Sequence, residues 1–142
     1  MTVDMKGLPV DFDAFKELSS ETGIPFISDS AESYGSIYKG NLVGSQANAH
    51  SFSFFANKNI TTGEGGAILT NNITYDNKAK LIRSHGIVRN KSKHWEYKMN
   101  ILGYNFRLPD INCALGISQL SKLSKFVKKS QHIEIKVLTA QS

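Results

Sequence analysis

Lys58 sits in the run SFSFFANKNITTGEGG, between an aromatic stretch and a glycine-rich turn. A desolvated lysine amine loses its preference for the charged form and becomes a nucleophile for carbonyl carbon. Phe52, Phe54 and Phe55 offer apolar surroundings, and Gly63, Gly65 and Gly66 let the chain approach something closely. Asp29, in ISDSAESYG, supplies a carboxylate that can pair with a cationic ring nitrogen. Ser53, on the same aromatic stretch as Phe52 and Phe54, adds a hydroxyl for a phosphate group. A carbonyl-directed lysine and a carboxylate for a pyridine nitrogen are the two groups that pyridoxal phosphate (PLP) asks of a protein. The protonated ring is the better electron sink. Each residue also has a plainer reading. Lys58 can be an ordinary surface-loop lysine, and Asp29 can cap the segment 30–34.

The elements that must position these groups follow from periodicity, which alternates short β-type runs with longer helical ones and indicates an α/β fold. Val10 to Thr22, opening after Pro9, places Phe12, Phe15 and Leu18 on one helical face, and Gly23 and Pro25 end it. Ile24–Ile27 reads as a brief buried strand, Ala49–Phe55 as an alternating strand, and Ala67–Thr70 as a third, stopped by Asn71 and Asn72. In the alternating strand Ser51 and Ser53 must face away from Phe52 and Phe54. Asp76 to His85 is helical, with Ala79 and Ile82 inward. Residues 86–103 read as loop. From Pro109, a favoured first-turn residue, one long helix runs through Ile111, Ala114, Leu115, Leu120, Leu123 and Phe126. Asp29 and Lys58 thus fall just beyond two strand ends, where open α/β sheets bind ligands.

The chain has 142 residues, 40% apolar and 20% charged, a length and composition suited to one packed unit. No run has the ~18 apolar residues of a membrane span. The start, MTVDMKGLPVDFD, lacks a signal-peptide pattern. With the single Cys113, these features point to a cytoplasmic protein and leave no cysteine-based zinc site. His50, His85, His94 and His132 lack metal-ligand spacing, so no metal is expected. The net charge of +5 conceals a gradient: residues 1–35 hold two basic and seven acidic groups, residues 78–142 thirteen basic and three acidic. The basic residues are scattered along helices without interleaved aromatics, which disfavours a nucleic-acid face. Cys113 reads as helix-side core packing, and Trp95 and Tyr97 as loop plugs.

The runs ISDSAESYGSIYKGNLVGS, AHSFSFFANKNITTGEGGAILT, RSHGI and LGYNFRLPDINCALGISQL resemble, in order, the DegT/StrS type of sugar aminotransferase. Within that family they most resemble enzymes that aminate C4 of a UDP-linked 4-keto-6-deoxy-N-acetylhexosamine on the route to pseudaminic acid. The resemblance implies a fragment of the large PLP-binding domain of a fold type I aminotransferase, with residues 1–142 a partial large domain and the small C-terminal domain absent. It implies that Lys58 carries the cofactor, Asp29 pairs with its ring nitrogen, and Glu32 lies beside its phenolic oxygen. Ser53 matches the phosphate-binding serine, and Asn105, in GYNFR, an asparagine that reaches the phosphate of the partner subunit's cofactor. It further implies a UDP-linked ketosugar and glutamate as substrates, and a homodimer with shared active sites. His85 falls where the family also has a histidine, with no role assigned.

The sequence departs from the family in two places. The upstream glycine- and threonine-rich phosphate cradle and the ring-stacking aromatic have no counterpart here. At the end, SQHIEIKVLTAQS no longer follows the family pattern. Two alternatives stay open: a non-catalytic remnant that pairs with another subunit, and a PLP-dependent sugar dehydratase, which Lys58 disfavours because those enzymes carry histidine there.

Overall fold

The computed structural model describes residues 1–93 and 95–140. His94 and the last two residues of the SQHIEIKVLTAQS run lie outside the described residues. In chain order the elements are β1 (Thr2–Val3), α1 (Phe12–Thr22), β2 (Ile27–Asp29), β3 (Ile37–Tyr38), β4 (Asn41–Leu42), β5 (Ala49–Ser53), β6 (Gly66–Leu69), α2 (Ile73–Arg83), β7 (Ile87–Arg89), β8 (Tyr97–Met99), α3 (Asp110–Leu120) and α4 (Leu123–Ala140). A 3-10 turn lies at Met5–Gly7.

The central sheet has the order β1-β2-β5-β6, with β1, β2 and β5 parallel and β6 antiparallel to β5. Its register aligns Val3, Asp29, Ser51 and Ile68 across the four strands. Because side chains alternate along a strand, the same register puts Thr2, Ser28 and His50 together on the other face, and all three are buried. That covered face packs on α1 and the segment between β2 and β5. The core is Phe12, Phe26, Val43, Ala47 and Phe52, with Val10, Tyr34, Tyr38 and Phe54 against it. Phe12 meets Tyr38 edge-on at 5.1 Å, and Tyr34 meets Phe52 in the same way at 5.1 Å. The face carrying Asp29 and Ser51 is open, leaving Val3, Ile27 and Ile68 exposed.

The α/β expectation holds, with shifted boundaries. The helix expected from Val10 begins at Phe12, because the Asp11 side chain accepts the N–H groups of Asp13 and Ala14. The strand expected at Ile24–Ile27 lies at Ile27–Asp29 instead. Pro25 has no N–H to give, and the Phe26 N–H is taken by the Asn48 side chain at 2.9 Å, so the ladder starts at Ile27. Asp29 is therefore the last residue of its strand. α2 starts three residues before Asp76, since Asn72 caps it by accepting from Thr74 and Tyr75. Residues 86–103, expected as loop, contain the hairpin of β7 and β8. The single long helix expected from Pro109 is two, parted at Ser121 and Lys122, where the Lys122 N–H bonds back to Gln119 rather than to the residue before it.

Candidate active site

Turn 30–36 and loop 54–65 carry the groups of interest, and each is held from two sides. Gly35, at φ +91°, lies under α4, where a Cβ would come within 2.9 Å of the Val127 methyl. The side-chain amide of Asn59 donates to the Tyr34 carbonyl at 2.7 Å, tying the lysine loop to the turn. Asn112 of α3 donates to the Thr62 carbonyl at 2.6 Å, fixing the far side of the loop. Ile60 and Thr62 anchor the loop inward, 4% and 2% exposed. The glycine-rich turn does approach something closely, and what it approaches is its own chain. A Cβ on Gly65 would sit 2.5 Å from the Thr62 hydroxyl, and one on Gly66 2.7 Å from the Phe52 carbonyl.

Lys58 is mostly enclosed, its side chain 18% exposed, and its Nζ lies 3.5 Å from Glu32 Oε1. The other Glu32 oxygen accepts the Lys6 backbone N–H at 2.7 Å. That N–H first, and the Lys58 charge second, hold the Glu32 carboxyl below its usual range. Asp29 Oδ1 accepts the Ala31 N–H at 3.1 Å and, at a long 3.5 Å, the Ser51 hydroxyl. Among the described residues nothing donates to its Oδ2. Asp29 thus fulfils the plain turn-capping role with one oxygen and keeps the other available. Ser53 Oγ accepts the Phe55 N–H at 3.2 Å, leaving its proton free to donate. Ser51 and Ser53 are half-buried on the face opposite Phe52, as the alternation requires.

The structure therefore brings Lys58 and Glu32 into contact, and sets Asp29 and Ser53 at the ends of the neighbouring strands β2 and β5. Asn105 does not join them. It is exposed, its backbone bridges Ser84 beyond α2, and among the described residues no hydrogen bond links it to the other four. Two grooves of about 680 and 880 Å3 flank the sheet, and neither is lined by Asp29, Glu32, Ser53 or Lys58. The candidate site is open on the Asp29 side of the sheet. Sequence reasoning missed Asp4, Ser28, Ser30 and Ser33, which brace the turn from inside. Only His50 carried a signal, since the strand alternation sets it on the same side as Phe52.

Residues 1–139 match the DegT/DnrJ/EryC1/StrS aminotransferase family. The chain belongs to that family. It is 47% identical over 131 residues to a UDP-4-amino-4,6-dideoxy-N-acetyl-beta-L-altrosamine transaminase of Campylobacter jejuni, covering 92% of this chain and 34% of the relative. Among solved structures, PseC of Helicobacter pylori, an aminotransferase involved in the biosynthesis of pseudoaminic acid, superposes with a TM-score of 0.83 at 42% identity. The match covers 86% of this chain and 32% of that one. The PLP form of the putative sugar aminotransferase Spr1654 from Streptococcus pneumoniae superposes at 0.75 with 30% identity, covering 87% of this chain and 36% of that one. The α/β fold is that of fold type I aminotransferases, and the chain spans about a third of the length of the curated family members it matches.

Proposed function

We propose that this chain is part of the large domain of a PLP-dependent aminotransferase that moves an amino group from glutamate to a UDP-linked 4-keto-6-deoxy-N-acetylhexosamine. The observation that carries the reading is the enclosed Lys58 amine against Glu32, on the two segments that follow the strand ends of Asp29 and Ser53, where among the described residues one carboxylate oxygen receives no donor and one hydroxyl proton is free. The names of the Campylobacter and Helicobacter relatives support the substrate class.

The donor set fits the cofactor. Among the described residues no donor competes for Asp29 Oδ2, which can accept an N–H from a protonated pyridine. Ser53 Oγ can donate to a phosphate oxygen, and Lys58 Nζ is the amine that would hold the aldehyde carbon. When bound, PLP supplies an aldehyde for amines and a ring that draws electron density from an adjacent carbon. The chain's own part is positional and acid–base. Asp29 keeps a proton at the ring nitrogen. Glu32 Oε1 orients Lys58 Nζ, and Lys58 Nζ, when unbound, takes a proton from a carbon acid and returns it elsewhere. Asn105, exposed and not hydrogen-bonded to this cluster among the described residues, suits a site on a second subunit, and the reading includes a homodimer with shared sites. A cytoplasmic location accords with the single unpaired Cys113.

The test is direct. The chain is incubated with PLP, reduced with borohydride, digested and mapped by mass spectrometry. The pyridoxyl group is expected on Lys58. A label on a different lysine, or no stable label, overturns the assignment.

A further inference from the structure

Asp4 is 1% exposed, lies just past β1, and has no ion-pair partner among the described residues. A buried carboxylate without a counter-charge is destabilising unless hydrogen bonds replace its water. Here four do. Asp4 Oδ2 accepts from the hydroxyls of Ser30 at 2.6 Å, Ser33 at 3.0 Å and Ser28 at 3.3 Å, and Oδ1 accepts the Val10 N–H at 3.2 Å. All three serines are fully buried.

The proton inventory fixes the rest of the network. Ser30 has one hydroxyl proton, which goes to Asp4, so its oxygen must accept across the 2.9 Å contact with His50 Nδ1. At the other side of the ring, His50 Nε2 faces the N–H groups of Gln46 and Ala47 at 3.1 and 2.9 Å and must accept from both. Both ends demand the same neutral tautomer, with its proton on Nδ1. Asp4 and Ser30, just past the ends of β1 and β2, and His50 within β5 thereby tie three adjacent strands together.

What this lock holds is the stretch that carries the site. Ser28 and Ser30 flank Asp29 with their side chains turned inward, and Ser33 directly follows Glu32. The segment after Asp4 grips the same turn: the Lys6 N–H donates to Glu32, and the Gly7 carbonyl accepts the Ser36 hydroxyl at 2.7 Å. We propose that Asp4 is a positioning residue that clasps turn 30–33 against the 4–7 segment and so holds Glu32 on Lys58. Its catalytic meaning rests on the function proposed above, whereas the coupling itself can be measured without cofactor.

The test uses trace acetylation of the 142-residue chain at one fixed, mildly alkaline pH, with each lysine read by peptide mass spectrometry. An amine held on a carboxylate is less available to the reagent than one released. Lys80, paired with Asp76 on α2, is the internal reference. Glu32→Gln should raise Lys58 labelling relative to Lys80 by about threefold, the scale of a partly exposed ion pair. Asp4→Asn preserves volume but removes the charge and one acceptor oxygen, so the hydroxyls of Ser28, Ser30 and Ser33 can no longer all donate as they do to the carboxylate. It should give a similar rise, and should add nothing in the Glu32→Gln background. Should Asp4→Asn not fold, Ser33→Ala, which removes one of the four bonds, should shift the ratio in the same direction by less. A lowered Tm with an unchanged Lys58:Lys80 ratio would mean that Asp4 is merely structural. A rise that persists undiminished without Glu32, or no rise on Glu32→Gln itself, would also overturn the proposal. The proposed function fails separately, if borohydride marks a lysine other than Lys58.

Discussion

At the scale of single residues, Asp29 offers the sharpest division of labour. One oxygen serves its own turn through Ala31, and among the described residues nothing donates to the other. Asp29→Ala, made in a full-length enzyme carrying this segment, is expected to slow turnover by tenfold or more, about 1.4 kcal/mol of barrier. Cofactor affinity should fall less, because Lys58 and Ser53 still hold the group. Steady-state rates set against PLP titrations check this, and normal turnover would remove the ring-nitrogen role. His50 makes a pH prediction. Burial pushes its imidazole below the usual 6.5, against the smaller opposing pull of Asp4. The unfolded chain therefore binds a proton more readily than the folded one. Stability from this group is complete above about pH 6.5 and is lost as pH falls from there through the lowered folded value. Thermal unfolding should show Tm declining across that window, and a flat profile would contradict it.

At the scale of elements, the two supports of the lysine loop differ in reach. Asn112 bonds to Thr62 from fifty residues away. Asn112→Ala should cost about 1 kcal/mol and raise amide exchange in residues 58–64 before it raises exchange in β5. Phe12, fully buried and ringed by Tyr38 and His50, should cost about 3–5 kcal/mol when cut to Ala, read as a shifted denaturation midpoint. The legibility of these elements in the sequence follows their length and locality. The five-residue strand at β5 and the helix at α1 announce themselves by period and by caps. The two-residue β1 has no period to read, and the β7–β8 hairpin is polar and joined by a long link. The break at Ser121 involves neither glycine nor proline, so the apolar spacing runs straight through it. The site divides in the same way. Lys58, Asp29 and Ser53 are legible as candidates because Asp29 and Ser53 end strands and Lys58 lies in the loop after β5, each beside local signals. Asp4 is not, because its three serine partners lie 24 to 29 residues on and only the paired sheet brings them near.

At the scale of the whole molecule, burial is lopsided. The sheet is sealed on the Phe52 side and open on the Asp29 side, and α3 leaves Ile111 and Ile117 86% and 72% exposed. A transaminase must exclude water while a carbon is deprotonated, and positioning alone contributes several kcal/mol. The 142-residue chain with added PLP is therefore expected to transfer amino groups from glutamate to a UDP-linked 4-ketosugar far more slowly than the ~1 per second of ordinary enzymes. A coupled assay at ordinary speed would show that these open faces do not matter. The exposed strips should also make the chain associate as its concentration rises, which sedimentation would reveal. The two-sidedness has a genetic consequence as well. The register that aligns Val3, Asp29, Ser51 and Ile68 is a matter of odd and even positions. Losing the Ser51 codon would make His50 and Phe52 immediate neighbours on opposite faces, so one of the two must leave the core and the strand end that carries Ser53 is displaced with it. A codon gained at Lys39 or Gly40, in the turn between β3 and β4, changes no parity in the central sheet. Related genes should therefore vary in length at that turn and keep the spacing within β5 fixed.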